Sequence, residues 1–185
     1  MLLLLLINSA KAQGISDFNN IYLYGEYGKP KGYEAFVQGG VYAQADHHYF
    51  KIKSSGAYEL LSEERKRFFD QYHSNCQCKP EKNQFTEVAL MYGKSYRILK
   101  HHQIQFGTGI SAFMTKDPDD ELNKDIHNYE RYKYNKIFTV GLPAEVRYSF
   151  QFKKYFAISC SANLSANFTH TYGTISAGAA WGLFR

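Results

Sequence analysis

An all-β fold is what this sequence predicts, with eight antiparallel strands running up and down and closing on themselves. Three observations carry that expectation. Side chains alternate apolar and polar with a period of two in eight separate segments. The connections between segments alternate between tight and longer links. After the first dozen residues, no apolar run approaches the roughly 18 residues that a transmembrane helix needs.

The alternation is clearest in the second half of the chain. In "YFAISCSANLSANF" (155–168), Phe156, Ile158, Cys160, Ala162, Leu164, Ala166 and Phe168 oppose Ser159, Ser161, Asn163, Ser165 and Asn167. In "HQIQFGTGISAFM" (102–114), Ile104, Phe106, Thr108, Ile110, Ala112 and Met114 form one face. In "KIFTVGLPAEVRYSF" (136–150), Phe138, Val140, Leu142, Ala144, Val146, Tyr148 and Phe150 form another. "YGTISAGAAWGLFR" (172–185) sets Ile175, Ala177, Ala179, Trp181 and Leu183 against Thr174, Ser176, Gly178 and Gly182. Weaker alternation marks 20–28, 33–45, 49–61 and 85–99. An even number of consecutive antiparallel strands can close and remove its own edges.

The tight links are 46–48, 100–102 and 151–154; the others are 29–32, 62–84, 116–135 and 169–171, two of them long and charged. Short turns at one end and longer loops at the other is the layout of a transmembrane barrel, with short periplasmic turns and longer extracellular loops. The strands, at ten or more residues in most cases, reach the roughly 9–11 needed to cross a bilayer at a tilt. Aromatic side chains gather at the predicted rims, Tyr148, Phe150 and Phe156 at one and Phe138, Phe168 and Tyr172 at the other. Parity alone leaves a soluble barrel with its apolar face inside, around a small apolar ligand, as the alternative.

Composition bounds the rest. The chain has 185 residues, 16 Tyr and 14 Phe against one Trp, so amphipathic aromatics dominate. "MLLLLLINSAKAQ" joins an apolar run to a small-x-small pattern at Ala10-Lys11-Ala12, which predicts a signal peptide over 1–12 and a single barrel domain over 13–185. Loss of Lys11 would take the formal charge from +5 to +4. The basic residues are scattered, which does not support nucleic-acid binding. Three cysteines do not make an even disulfide framework.

The segment "FTVGLPAEVRYSFQFKKYFAISCSANLSANFTHTYGTISAGAAWGLFR" resembles the small outer-membrane β-barrel proteins abundant in Bacteroidetes. The resemblance rests on Gly141, Leu142, Pro143 and Glu145 in a "VGLP-x-E" strand and on Trp181 and Phe184 in a Gly-rich terminal strand. It implies a barrel in the outer membrane of a Gram-negative bacterium, with membrane lipid and the barrel-assembly machinery as partners. It implies almost nothing about activity.

The chemistry expected of such a barrel lies on its polar face. An eight-stranded barrel is just wide enough for side chains to fill. Glu34, Gln38, Lys51, Lys53, Glu59, Glu87, Lys94, Gln103, Gln105, Glu145, Arg147 and Asn163 are the candidates for a polar network in the lumen. Buried charges there must pair. A narrow gated pore is the sharper version of the same reading. Val140, Leu142, Val146, Ile158, Leu164 and Ile175 are expected to face lipid.

Other constellations are weaker. His73, Cys76 and Cys78 in "HSNCQC" offer soft metal ligands without a fourth at a recognised spacing, so no metal or other cofactor is assigned. Ser165 and His170 are the nearest candidates for a lipid-modifying enzyme, but no Gly-x-Ser-x-Gly elbow supports them, and no catalytic residue is assigned. His47-His48 and His101-His102 read as turn and headgroup-level residues. "SEERKRFFDQY" (62–72) has a Ser62 N-cap and Phe68, Phe69 and Tyr72 on one helical side. A short helix over the mouth, a partner-binding knob and a structureless loop all remain open there. The expectation is a monomeric membrane barrel with a structural or surface-interaction role.

Overall fold

The structure, a computed structural model, describes residues 19–30, 33–59, 84–118, 134–168 and 171–184. Eight strands follow in chain order: β1 (Asn20–Gly28), β2 (Tyr33–Ala45), β3 (His48–Glu59), β4 (Gln84–Leu99), β5 (His102–Pro118), β6 (Tyr134–Lys153), β7 (Phe156–Asn167) and β8 (Tyr172–Phe184). Each pairs antiparallel with the next, and β1 pairs with β8 from Asn20↔Phe184 to Gly28↔Ser176, so the sheet closes. Closure leaves no sheet edge exposed.

The two-residue period sets the faces. On β7, Ala157, Ser159, Ser161, Asn163 and Ser165 are buried while Phe156, Ile158, Cys160, Ala162 and Leu164 are exposed. The exposed wall carries Leu, Val, Ile and aromatic side chains on every strand, including Leu23, Val41, Ile52, Leu90, Ile110, Leu142, Leu164 and Ile175. The charges and amides point inward. This is a soluble protein turned inside out.

Local chemistry explains the turns. Asp46 takes a positive φ of 51° in the two-residue link between β2 and β3, a conformation that Asp tolerates through its short polar side chain. The β4–β5 hairpin extends well beyond its neighbour, because His48 at the start of β3 already lies opposite Lys94. In β6, Pro143 has no N–H to give. The β5–β6 ladder passes from Thr108↔Ala144 to Ser111↔Gly141, and the Thr108 hydroxyl donates to the Pro143 carbonyl at 3.0 Å.

Two aromatic clusters close the interior. At the end with the short turns, where β1 begins and β8 ends, Tyr22 stacks on Tyr42 and Phe184, with ring centroids at 4.3 and 4.9 Å, and Tyr42 stacks on Tyr49 at 4.9 Å. At the other end, Phe85 meets Tyr172 at 4.5 Å, Phe113 at 5.1 Å and Tyr33 at 5.3 Å. Each such pair adds about 0.5–1.5 kcal/mol beyond the area it buries. The polar middle lies between two lids of rings.

Candidate functional site: the buried charge network

Six ionisable side chains from four strands meet between the aromatic clusters: Glu26 (β1), Lys51 and Lys53 (β3), Glu87 (β4), and Glu145 and Arg147 (β6). Three are acidic and three basic, so this buried set is neutral in formal charge. Neutrality matters because one uncompensated buried ion costs several kcal/mol.

The Lys51 ammonium lies 2.5 and 2.6 Å from the two Glu145 carboxylate oxygens. The Arg147 guanidinium is fully buried, with Nη2 3.0 Å from Glu26 Oε1 and Nε 3.1 Å from Glu145 Oε1. Those approaches are ion pairs whose angles fall outside hydrogen-bond geometry. The guanidinium carbon also sits 3.9 Å from the Tyr24 ring centroid, with Lys51 Nζ at 4.3 Å from the same centroid. Cations over a desolvated aromatic face gain further electrostatic stabilisation. Tyr24 is thus part of the charge network as well as of the lid.

Hydroxyls complete the carboxylates. Glu26 accepts from Ser159 at 2.6 Å, Ser161 at 2.5 Å, Ser176 at 2.9 Å and the Gln38 amide at 2.5 Å. Glu87 accepts from Ser165 at 2.6 Å, Ser111 at 2.7 Å, Ser55 at 3.2 Å and Tyr172 at 2.5 Å. The wet face of β7 therefore serves both carboxylates from one ribbon, with Asn163 between them donating to Ser161 at 2.9 Å and accepting from Lys53 at 3.4 Å. Toward the short turns, Gln44 Oε1 accepts from Asn20 at 2.9 Å, Gln103 at 2.7 Å and Tyr42 at 3.1 Å. Gln105 donates to Tyr22 and Tyr42 at 3.0 Å each, and Gln103 also donates to Ser95.

Of the expected lumen residues, Gln38, Lys51, Lys53, Glu87, Gln103, Gln105, Glu145, Arg147 and Asn163 are buried inside. Two are not. Glu34 is exposed because the β2–β3 register shifts between Tyr33 and Ala35, and that bulge turns Tyr33 inward in its place. Lys94 is exposed because it stands seven positions from Glu87, an odd step that puts it on the opposite face of β4. The Glu59 side chain lies outside the described residues. Val140, Leu142, Val146, Ile158, Leu164 and Ile175 are all exposed on the outer wall.

Tyr172, expected at the outer rim, is buried and donates to Glu87 instead. Ser165 is 1% exposed and donates to the same carboxylate, so its hydroxyl lies inside the barrel and not at the surface where a lipid substrate would meet it. Cys160 is a free, exposed thiol on the outer wall. His170, His73, Cys76, Cys78, the leader and the segment 62–83 lie outside the described residues. Among the described residues, no three His, Cys, Asp or Glu side chains cluster as a metal site.

The reading from sequence missed Glu26. Its signal was available: a lone charge in "YLYGEYG" two and four residues from Tyr24 and Tyr22, hence on their face. It also missed that Tyr22, Tyr24, Tyr42 and Tyr49 face inward.

No protein-family model matches the chain, and no curated protein matches it significantly. Solved structures do share its fold. Neisserial surface protein A superposes with a TM-score of 0.59 at 7% identity, covering 90% of this chain and 97% of that one. The attachment invasion locus protein of Yersinia pestis, in complex with the heparin analogue sucrose octasulfate, superposes with a TM-score of 0.54 at 13% identity, covering 89% and 97%. The N-terminal β-barrel domain of Pseudomonas aeruginosa OprF gives 0.53 at 7% identity, covering 89% and 98%. At these identities the likeness is one of fold. The chain has the closed eight-stranded architecture of small outer-membrane barrels.

Proposed function

We infer that this chain is an integral outer-membrane barrel of a Gram-negative bacterium, with a structural or surface-interaction role. The observation that carries the reading is the inversion of its faces: an apolar wall on every strand outside, and a neutral set of six buried ions inside. An exposed apolar surface that continuous requires a covering. A bilayer supplies one to a closed barrel, whose backbone groups are all paired within the sheet. The aromatic rings at the short-turn rim, Tyr92, Tyr148, Phe152, Phe156 and Trp181, match the girdle of such a barrel.

The interior favours a scaffold over an open channel. Aromatic clusters at both ends and paired charges between them occupy the lumen. A soluble barrel around an apolar ligand would need the opposite faces. The Bacteroidetes-type reading draws on "GLP-x-E", whose Gly141 avoids the Ser111 hydroxyl that a Cβ would meet at 2.5 Å and whose Glu145 pairs with Lys51. In this reading the protein works as a monomer, folded into lipid by the barrel-assembly machinery, with the longer connections outside the cell.

Membrane fractionation of a Gram-negative host expressing the full chain tests this directly. The protein should remain with outer membranes after carbonate washing and run as a compact, heat-modifiable band before boiling. Recovery as a soluble monomer without detergent would overturn it.

A further inference from the structure

The outer wall is not uniformly convex. A groove of about 930 Å³ crosses β4 to β7 toward the short-turn end. Its floor is made of small outward residues: Thr108 lies directly opposite Ala144, and Ala162 lies one diagonal step from Ala144, opposite Val146. Tyr92, Tyr96 and Phe106 rise on one side, and Val146 and Leu164 flank the diagonal step from Ala144 to Ala162. The lining is almost wholly apolar, and a single cation, Lys94, stands at it from the outer face of β4.

The height of Lys94 is set by its register. It lies directly opposite His48, the first residue after the β2–β3 turn, and next to Ser95, whose N–H donates to the His47 carbonyl at 2.8 Å. Lys94 is therefore level with the rim of the neighbouring hairpin, where apolar wall gives way to water. Tyr92 marks the same boundary, because its hydroxyl is tied to His48 Nδ1 at 2.5 Å while its ring faces the groove. An amphipathic Tyr so placed belongs at a headgroup level. Among the described residues around this rim, Lys94, Arg97, Lys100, Lys153 and Lys154 stand against one acidic residue, Asp46.

We propose that this groove seats one anionic phospholipid of the leaflet that the short turns face. Its phosphate lies against Lys94 and its acyl chains run over Thr108, Ala144 and Ala162. Charge complementarity chooses the lipid, since a lone ammonium above an apolar trough, within a cationic rim, attracts an anionic headgroup over a zwitterionic one. The small floor residues let the chains lie close against the sheet. This rests on the reading of the chain as a membrane barrel.

The test uses the full chain in nanodiscs of phosphatidylglycerol and phosphatidylcholine in equal amounts, released into native mass spectrometry. Phosphatidylglycerol should be retained preferentially, and Lys94→Gln should lower that preference about five-fold. Ala162→Trp, which fills the trough, should reduce retention of both lipids. Lys154→Gln, at the rim but outside the groove, should leave the preference unchanged. Equal retention of the two lipids, or equal effects of Lys94→Gln and Lys154→Gln, would overturn the site. A dimer abolished by Ala162→Trp would seat a second copy there and overturn it too. Should the chain fail to enter bilayers at all, with no heat-modifiable band, the membrane reading falls and this proposal falls with it.

Discussion

Lys51 and Glu145 meet across the barrel interior, from β3 to β6, with both carboxylate oxygens within 2.6 Å of one ammonium. They make the shortest ion pair of a buried set with three charges of each sign. Glu145→Gln leaves that set with one excess positive charge. It should destabilise the barrel by about 3–5 kcal/mol, the usual cost of breaking a buried pair from one side. Replacing both partners, as Lys51→Met with Glu145→Leu, should cost much less. Chemical denaturation of the reconstituted protein, followed by band shift, measures both. Equal losses in the single and double variants would mean the pairing is not what holds these residues inside.

The hydroxyl of Tyr172 is one of four that satisfy Glu87. Tyr172→Phe keeps the ring against Phe85 and removes one bond to a charged acceptor, for an expected loss of about 1.5–3 kcal/mol. Ser55→Ala removes a longer bond, 3.2 Å against 2.5 Å, and should cost less. The reverse order in unfolding free energy would place Glu87 elsewhere than beneath the aromatic lid.

The filled lumen predicts electrical silence. In planar bilayers the unmodified protein should give no steady conductance, because a ring cluster closes each end and paired ions fill the middle. A steady ohmic current from a verified single barrel would show that the interior rearranges in a membrane.

Outward residues should tolerate apolar exchange and reject charge. Leu142 is 63% exposed on the outer wall, so Leu142→Ile should be nearly neutral while Leu142→Arg should cost about 2–4 kcal/mol of barrel stability near the midplane. Ser161→Ala, on the opposite face, should cost about 1.5–3 kcal/mol, through the bond it gives the charged Glu26 and not through lipid. Folding yield into vesicles reads all three.

Much of this architecture was legible because a barrel strand has the simplest period there is. Eight alternating segments map onto eight strands, and the strongest, 155–168, differs from β7 by a residue at each end. The site was less legible wherever parity and chemistry disagree. At Glu34 a bulge resets the parity, and nothing in "YEAFVQ" signals it. Lys94 could have been excluded by counting from Glu87. The tyrosines of β1 to β3 defeat composition altogether: an amphipathic ring suits a lipid girdle and a crowded polar interior equally well. Parity with a charged or amide neighbour is what places them inside: Tyr24 stands two positions from Glu26, Tyr42 four from Gln38 and Tyr49 two from Lys51. Glu26 went unseen for the same reason, since its strand looked aromatic before it looked charged.

The one tryptophan of the chain gives the most direct test of which face meets lipid. Trp181 is 64% exposed on the outer wall of β8, beside Leu23 and Phe156 near the short-turn rim. In vesicles its emission should be blue-shifted, quenched by lipids brominated near the headgroup end of their acyl chains and protected from acrylamide. Red-shifted emission, quenched by acrylamide and indifferent to brominated lipid in protein that has folded, would contradict the account.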